Sequence, residues 1–120
     1  MELHRLIPFV PAKDYYRSSE FYQAMGFTQL FLAQEFSEMK NNQLSFYLQD
    51  FYIKALAENL MLEIKVEHLH TFHEHMLGVI ASFPEAKVSD IVTREQGLEF
   101  NVWDPSGVLW IVSAANKYAL

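Results

Sequence analysis

Alternation of apolar and polar positions predicts a β-hairpin near the end of the chain. Every second residue from Leu98 to Val102 is apolar, whereas the run from Val108 to Val112 is apolar throughout. Strict alternation predicts a strand with one buried face, and an unbroken run rich in β-branched and aromatic residues is typical of a strand buried on both faces. The Asp-Pro-Ser-Gly at 104–107 suits a tight turn, because Asp bonds its own downstream backbone, Pro presets φ and Gly accepts positive φ.

The same kind of pattern divides the rest of the chain into helices and strands. Helical spacing of apolar residues predicts one helix over 14–25, capped by Asp14 and stopped by Gly26, and a second over 70–83, ended by Pro84. Strands are predicted over 6–10, 27–33, 36–40, 43–49, 62–66 and 88–93, with a turn at 41–42 and a short helical connector within 50–59.

These elements repeat one order, β-α-β-β-β, in each half of the chain. The sequence therefore predicts an α+β fold of two βαβββ modules, about 1–57 and about 58–120, within a single domain. Phe21 and Trp110 are assigned to its core. Pro8 removes a backbone donor, so the first strand is expected at a sheet edge or with a bulge.

Composition narrows the class of protein. The 120 residues are 51% hydrophobic and 15% aromatic, enough for a core and for an apolar cavity or a subunit interface. Nine Lys and Arg against fifteen Asp and Glu give a net charge of −6, which argues against a nucleic-acid partner. No cysteine is present, so disulfides and thiolate sites are excluded. No signal sequence and no apolar run of ~20 residues is found, so we expect a cytoplasmic protein without a membrane partner.

Four segments match, in order and spacing, the motifs of a known family. They are Ile-Pro-Phe-Val-Pro-Ala-Lys-Asp at 7–14, Ser-Ser-Glu-Phe-Tyr at 18–22, Met-Gly-Phe at 25–27, and Gly-Leu-Glu-Phe at 97–100 before the turn at 104–107. In these segments the chain resembles the vicinal oxygen chelate superfamily of glyoxalase I, bleomycin resistance proteins and extradiol dioxygenases. The resemblance covers nearly the whole chain. It implies paired βαβββ modules that form a curled mixed sheet around a cleft, usually in a homodimer.

The resemblance also points to four strand positions where metal-dependent members carry a ligand. Here those positions fall on Ile7, on the segment 45–47, on Met61 and on Ile111. Ile and Met side chains offer no oxygen or imidazole donor to a divalent ion. We therefore expect no metal and no other cofactor, and none of the superfamily's reactions that need a Lewis acid.

Four histidines crowd the predicted start of the second helix: His68, His70, His73 and His75. Two histidines three residues apart on a helix can bind zinc, but the chain has no HExxH pattern and no cysteine to complete such a site. We favour a solvated helix face and leave the role of the cluster open. No nucleophile elbow, P-loop or dinucleotide fingerprint occurs, so no catalytic residue is predicted.

Strand alternation predicts which side chains line the cleft. If Ile111 faces it, Leu109 on the same strand does so too, and Met61 and Glu63 follow on the fifth strand. A carboxylate inside an apolar cleft would have a raised pKa, and Glu63 could then act as a base or pair with a cationic ligand. The favoured alternative is a solvated strand face or a salt bridge from Glu63 to a neighbour such as Lys65.

The aromatic content exceeds what a single core of this size needs. Flat apolar walls with a few carboxylates suit a planar or cationic guest. Many of these aromatic residues could instead fill the core or a dimer interface. The candidate ligand-binding residues are Phe9, Phe31, Phe36, Tyr47, Tyr52, Met61, Glu63, Trp103, Leu109 and Ile111.

Without metal ligands, the chain is most similar to the bleomycin resistance proteins of the superfamily. This implies a metal-free homodimer that sequesters a planar or cationic small molecule, with a bleomycin-like antibiotic as one candidate, in an apolar cleft at the dimer interface. Those proteins carry an aromatic residue before the glycine of the penultimate strand, where this chain has Gln96. Two alternatives stay open. One is an enzyme, either a glyoxalase-like lyase or isomerase or a dioxygenase-related enzyme, with a noncanonical site. The other is a structural or regulatory dimer whose cleft binds nothing specific.

Overall fold

The computed structural model describes residues 1–115. The first module consists of β1 (Phe9–Ala12), α1 (Tyr15–Met25), β2 (Thr28–Ala33), β3 (Phe36–Asn41) and β4 (Leu44–Asp50). A short helix, α2 (Lys54–Asn59), leads to β5 (Met61–Val66), α3 (Leu69–Ile80), β6 (Lys87–Val88), β7 (Val92–Arg94), β8 (Gly97–Trp103) and β9 (Leu109–Ala114). The predicted α+β class is confirmed, and the predicted extension of the second module over 116–120 lies outside the described residues.

The strands form two separate sheets instead of one curled sheet. Their orders are β1-β4-β3-β2 and β5-β9-β8-β6, with β7 also pairing with β8. Each sheet is mixed, because β1 runs parallel to β4 and β5 runs parallel to β9. The first strand starts at Phe9 and not at residue 6, directly after Pro8, and it lies at a sheet edge as predicted.

Two predicted elements of the second module have different bounds. The predicted strand 88–93 is split into β6 and β7, because the Ser89 hydroxyl accepts from the Asn101 amide at 2.8 Å and interrupts the regular ladder. α3 ends at Ile80 and not at 83. With 12 residues it is the longest of the described helices, and none of these is long and apolar enough to cross a membrane.

The inner faces of both sheets share one core with α1 and α3. Phe21 is fully buried, and the Trp110 ring lies 5.6 Å from that of Tyr22 and 5.2 Å from that of Phe46, centroid to centroid. The predicted core positions of Phe21 and Trp110 are confirmed. β9 is not buried on both faces in the single chain, because every second residue from Leu109 is only half-buried.

A buried hydrogen-bond network ties α1 to the turn of the C-terminal hairpin. Asp104 Oδ1 accepts from the amides of Ser106 at 2.8 Å and Val108 at 2.9 Å, as expected for this turn. The Tyr22 hydroxyl donates to Asp104 Oδ2 at 2.5 Å and accepts from Trp110 Nε1 at 2.9 Å. Burial raises the pKa of Asp104, although the Tyr22 hydroxyl and the backbone amides oppose the rise. Asp104 and Trp110 therefore both connect α1 to the second sheet through the Tyr22 hydroxyl.

The end of α1 at Gly26 allows a test of backbone strain. The φ of Gly26 is +132°, which side chains rarely allow, whereas a Cβ there would lie 3.8 Å from Asn41 Nδ2, an ordinary contact. We expect Gly26→Ala to lower the free energy of unfolding by about 1–3 kcal/mol. The control is Gly78→Ala within α3, where nothing lies within 4 Å of the added Cβ, and it should stabilise the protein by about 0.5–1 kcal/mol. Urea denaturation measures both, and effects of the same sign would contradict this explanation.

Candidate functional site

Each sheet packs one face on the core and leaves the other open. Direct cross-strand partners share a face, so the strand register shows which side chains each open face carries. We call Phe9, Phe36, Glu38, Ser45 and Tyr47 the N-terminal face. We call Met61, Glu63, Lys65, Asn101, Trp103, Leu109, Ile111 and Ser113 the C-terminal face.

Three aromatic side chains of the N-terminal face pack together. The ring centroids of Phe9 and Tyr47 are 5.0 Å apart, those of Phe36 and Tyr47 are 5.1 Å apart, and those of Phe9 and Phe36 are 6.0 Å apart. Phe9 nevertheless exposes 52% of its surface, and the other two are half-buried. The structure thus unites three candidate ligand-binding residues in one partly exposed surface, here called the aromatic wall.

Glu38 lies beside the aromatic wall, directly opposite Tyr47 on the neighbouring strand. Its side chain is only 10% exposed. One carboxylate oxygen, Oε2, accepts a hydrogen bond from Ser45 Oγ at 2.5 Å and pairs with the Arg5 guanidinium. The Ser45 hydroxyl and then Arg5 hold the pKa of Glu38 below its ordinary value, although burial opposes them. Glu38 is therefore ionised at neutral pH and paired with Arg5, and Lys40 lies on the same face of β3.

Glu38 is not among the residues predicted from the sequence, although alternation contained part of the signal. Glu38 is two residues from Phe36, so both side chains lie on the same face of β3. The β3–β4 turn lies at 42–43, one residue later than predicted. The predicted turn would put Ser45 opposite Glu38, whereas the observed register puts Tyr47 there.

The C-terminal face combines apolar side chains with four polar or charged ones, Glu63, Lys65, Asn101 and Ser113. Met61 exposes 64% of its surface, and Lys87 Nζ lies 5.1 Å from the centroid of the Trp103 ring. Asn101 Oδ1 is buried and has no hydrogen-bond partner among the described residues. Across β5, β9 and β8, one row consists of Met61, Leu109 and Trp103, and the next row of Glu63, Ile111 and Asn101. This face therefore unites five candidate residues.

Glu63 does not have the raised pKa expected of a carboxylate in an apolar cleft. Glu63 Oε2 accepts from Ser113 Oγ at 2.8 Å and from Lys65 Nζ at 3.2 Å, and its side chain is half exposed. The Ser113 hydroxyl first, and then Lys65, lower the pKa of Glu63. The lowered pKa does not support a general base at Glu63, and the alternative salt bridge to Lys65 is present.

Two candidates lie away from both open faces. Phe31 pairs with the buried Ser37, whose hydroxyl contacts that of Tyr15 on α1, so Phe31 lies on the helix side of its sheet. Simple alternation along β2 does not reveal this, because the register shifts between Phe31 and Ala33. Tyr52 follows β4 and packs against the core, with Lys13 Nζ 5.9 Å from its ring centroid.

The positions that the resemblance gives for metal ligands do not fit a metal. Met61 and Ile111 place a thioether and an aliphatic chain on the C-terminal face, and Ile7 lies before β1. The Ser45 hydroxyl already donates to Glu38. Within residues 1–115, no three His, Cys, Asp or Glu side chains are placed to hold a metal ion. No metal-dependent reaction step is therefore assigned to this site.

Two histidines of the cluster attach α3 to its neighbours. His73 Nε2 donates to the Ser89 carbonyl at 2.9 Å, and His75 Nε2 donates to the Ala24 carbonyl at 2.7 Å. The His73 ring also meets the edge of Phe100, with centroids 4.7 Å apart. These two side chains therefore make packing contacts and do not form a purely solvated face.

Comparison with known proteins identifies the fold. No family model and no curated protein matches the sequence. The bleomycin-binding protein from bleomycin-producing Streptomyces verticillus, complexed with copper(II)-bleomycin, superposes with a TM-score of 0.80 at 19% identity, covering 97% of this chain and 99% of that one. The antibiotic-binding protein TnmS3 from a Streptomyces species gives 0.76 at 15% identity, covering 97% and 99%. The fosfomycin resistance protein FosX from Mesorhizobium loti gives 0.73 at 8% identity, covering 97% and 95%.

These likenesses span nearly the full length of both chains in every case. At such low identities they establish the fold and leave the activity open. The sequence motifs predicted the same superfamily. The chain therefore has the fold of the bleomycin resistance proteins, that of the vicinal oxygen chelate superfamily.

Proposed function

We propose that this chain forms a homodimer that binds a planar, cationic small molecule in clefts lined by the two open sheet faces. The observation that carries the proposal is the aromatic wall, half exposed in the single chain and adjoining the carboxylate of Glu38. Ligand sites are typically apolar surfaces with a few fixed polar groups that set orientation. Aromatic faces beside a carboxylate bind flat cations through stacking and charge.

Charge supports a cationic ligand. The chain has a net charge of −6, and Glu38 and Glu63 both have lowered pKa values on the open faces. A cation is therefore attracted by the net charge of the whole molecule, and on the open faces it would compete with Arg5 for Glu38 and with Lys65 for Glu63.

Similar structures support sequestration of an antibiotic without chemical conversion. One is a bleomycin-binding protein and another is an antibiotic-binding protein. Extended to this chain, that role requires a cleft and no catalytic group. The lowered pKa of Glu63 and the unsuitable residues at the metal-ligand positions agree with it.

Exposure of both faces supports a dimer. Phe9 on one face and Met61 on the other are more than half exposed in the single chain. Apolar surfaces of this kind mark partner or ligand sites. A second copy would cover both faces and turn two shallow surfaces into enclosed clefts.

A thermal-shift panel tests binding. It contains bleomycin, other planar cations and uncharged aromatic compounds of similar size. A ligand present at a hundred times its Kd adds about 2.7 kcal/mol, so we expect the midpoint to rise by roughly 10 °C for the cationic aromatic members. Uncharged members should give smaller shifts.

Three results would contradict the proposal. Stoichiometric metal in the purified protein would favour an enzyme with a site of another kind. No shift for any compound would favour a structural or regulatory role. If analytical ultracentrifugation showed a monomer at the concentration used for binding, no second copy could complete the cleft.

A further inference from the structure

The first eight residues form an arm without regular structure that reaches the N-terminal face through two polar contacts, the Pro8 carbonyl with the Tyr47 amide at 2.9 Å and an ion pair of Arg5. No regular element occurs before Phe9, and Leu3 and Leu6 are 90% and 95% exposed. Arg5, which lies between them, nevertheless pairs with Glu38 across 33 residues of sequence. The arm therefore carries its positive charge to the surface proposed above for a cationic ligand.

The Glu38 carboxylate carries a charge that a cation can pair with. With Arg5 in place its side chain is 10% exposed, and Ser45 Oγ donates to it. Arg5 and Lys40 both favour its charged form, so the carboxylate stays ionised and attracts cations. A cation other than Arg5 would satisfy Glu38 equally well.

Arg5 is the replaceable partner of the pair. Its side chain is 50% exposed, five times the exposed fraction of Glu38. Ion pairs with a solvated partner contribute little net free energy, since the solvated group regains its hydration when it leaves. His4, Arg5 and Leu6 of the arm line a pocket together with Lys40, Gln43 and Ser45 of the β3–β4 hairpin. Arg5 can therefore leave Glu38 without disturbing the sheet.

We propose that Glu38 is the docking point for the cationic group of the ligand, and that Arg5 is an internal competitor that occupies this point until the ligand displaces it. The proposal rests on the proposed function and specifies its ligand class: an aromatic ring bearing an amidinium or guanidinium group.

The geometry of the face supports this ligand class. Glu38 is the direct cross-strand partner of Tyr47, and such partners have Cβ atoms about 4.5–5.5 Å apart. A ring stacked on the aromatic wall therefore brings a directly attached substituent to the carboxylate. A planar amidinium, like the guanidinium it replaces, presents parallel N–H donors that match a carboxylate.

Benzamidine and its uncharged analogue benzamide provide matched probes. NMR titrations would measure Kd for the unaltered protein and for Arg5→Ala, Glu38→Gln and Lys54→Ala. Lys54→Ala removes one positive charge from α2, where the side chain is 76% exposed, and it controls for net charge. Arg5→Ala should tighten benzamidine binding about tenfold, as expected if Arg5 occupies the site in about nine of ten molecules. Benzamide binding should not change.

Glu38→Gln gives the opposite expectation. The NMR spectrum of Glu38→Gln first shows whether this variant is folded. We then expect it to bind benzamidine no more tightly than benzamide. Equal benzamidine affinity in the unaltered and Glu38→Gln proteins would overturn the docking point. No tightening in Arg5→Ala, or the same tightening in Lys54→Ala, would overturn the competitor. If benzamidine binds no variant, this proposal fails, whereas the proposed function is judged separately by the thermal-shift panel and the oligomeric state.

Discussion

Asp104→Ala should lower the free energy of unfolding by about 4 kcal/mol or more. The substitution leaves the Tyr22 hydroxyl and the amides of Ser106 and Val108 without their acceptor in a fully buried place. Each buried donor left unpaired costs about 1–3 kcal/mol. The midpoint of thermal unfolding should fall by roughly 15 °C or more, as calorimetry would show.

Two further variants separate the effect of the lost hydrogen bonds from the effect of the lost side-chain volume. Asp104→Asn keeps an acceptor for both amides and should cost clearly less than Asp104→Ala. Tyr22→Phe removes the donor to Asp104 Oδ2 and the acceptor of Trp110 Nε1, and it should cost less than Asp104→Ala, which leaves three donors unpaired. If all three variants were equally unstable, a general loss of packing would explain the result better than the hydrogen bonds.

The pH dependence supplies an independent check of the same group. Because burial raises the pKa of Asp104 in the folded chain, the folded state holds this proton more tightly than the unfolded chain. Relative to Asp104→Asn, the unaltered protein should therefore lose stability as the pH rises from the unfolded pKa through the raised folded pKa. A gain over that interval would contradict the direction of the shift.

The fold was predictable because local chemistry and long-range pairing agree in this chain. The Asp14 side chain accepts from the Arg17 amide, Gly26 ends α1 with positive φ, and Asp104 bonds its own turn. Each of these contacts lies within five residues along the chain. The division of the strands into two sheets, by contrast, depends on pairings over some forty residues, such as Phe9 with Tyr47, which no local pattern contains.

Phe31, Phe36 and Tyr47 were all named for the aromatic content of the chain, which does not indicate the face of a strand. The regular pairing of β3 and β4 places Phe36 and Tyr47 together, whereas Phe31, beside a register shift, lies on the helix side. Glu63 and Glu38 show a second limit. Both lie on open faces, and a partner is predictable only when it is close in sequence. Glu63 pairs with Lys65, two residues away, whereas Glu38 pairs with Arg5, which lies in a segment without regular structure.

Tyr47→Ala and Trp103→Ala should each weaken ligand binding about tenfold or more, with little loss of stability. Each side chain is half-buried on its own open face, outside the shared core. Large aromatic side chains at the centre of a binding surface typically contribute 2 kcal/mol or more when removed. The measurement is the Kd of the panel compound that gives the largest thermal shift, taken for each variant.

A mixed dimer of the two variants would show whether one cleft is built from one chain or from two. If each cleft joins the N-terminal face of one copy to the C-terminal face of the other, a mixed dimer has one cleft with both substitutions and one with neither. Refolding the variants together should then restore tight binding in roughly a quarter of all clefts, since half of the dimers are mixed. If both faces of a cleft belonged to one chain, every cleft would keep one substitution and no tight binding would return. The exposure of Phe9 and Met61 in the single chain leads us to expect restoration.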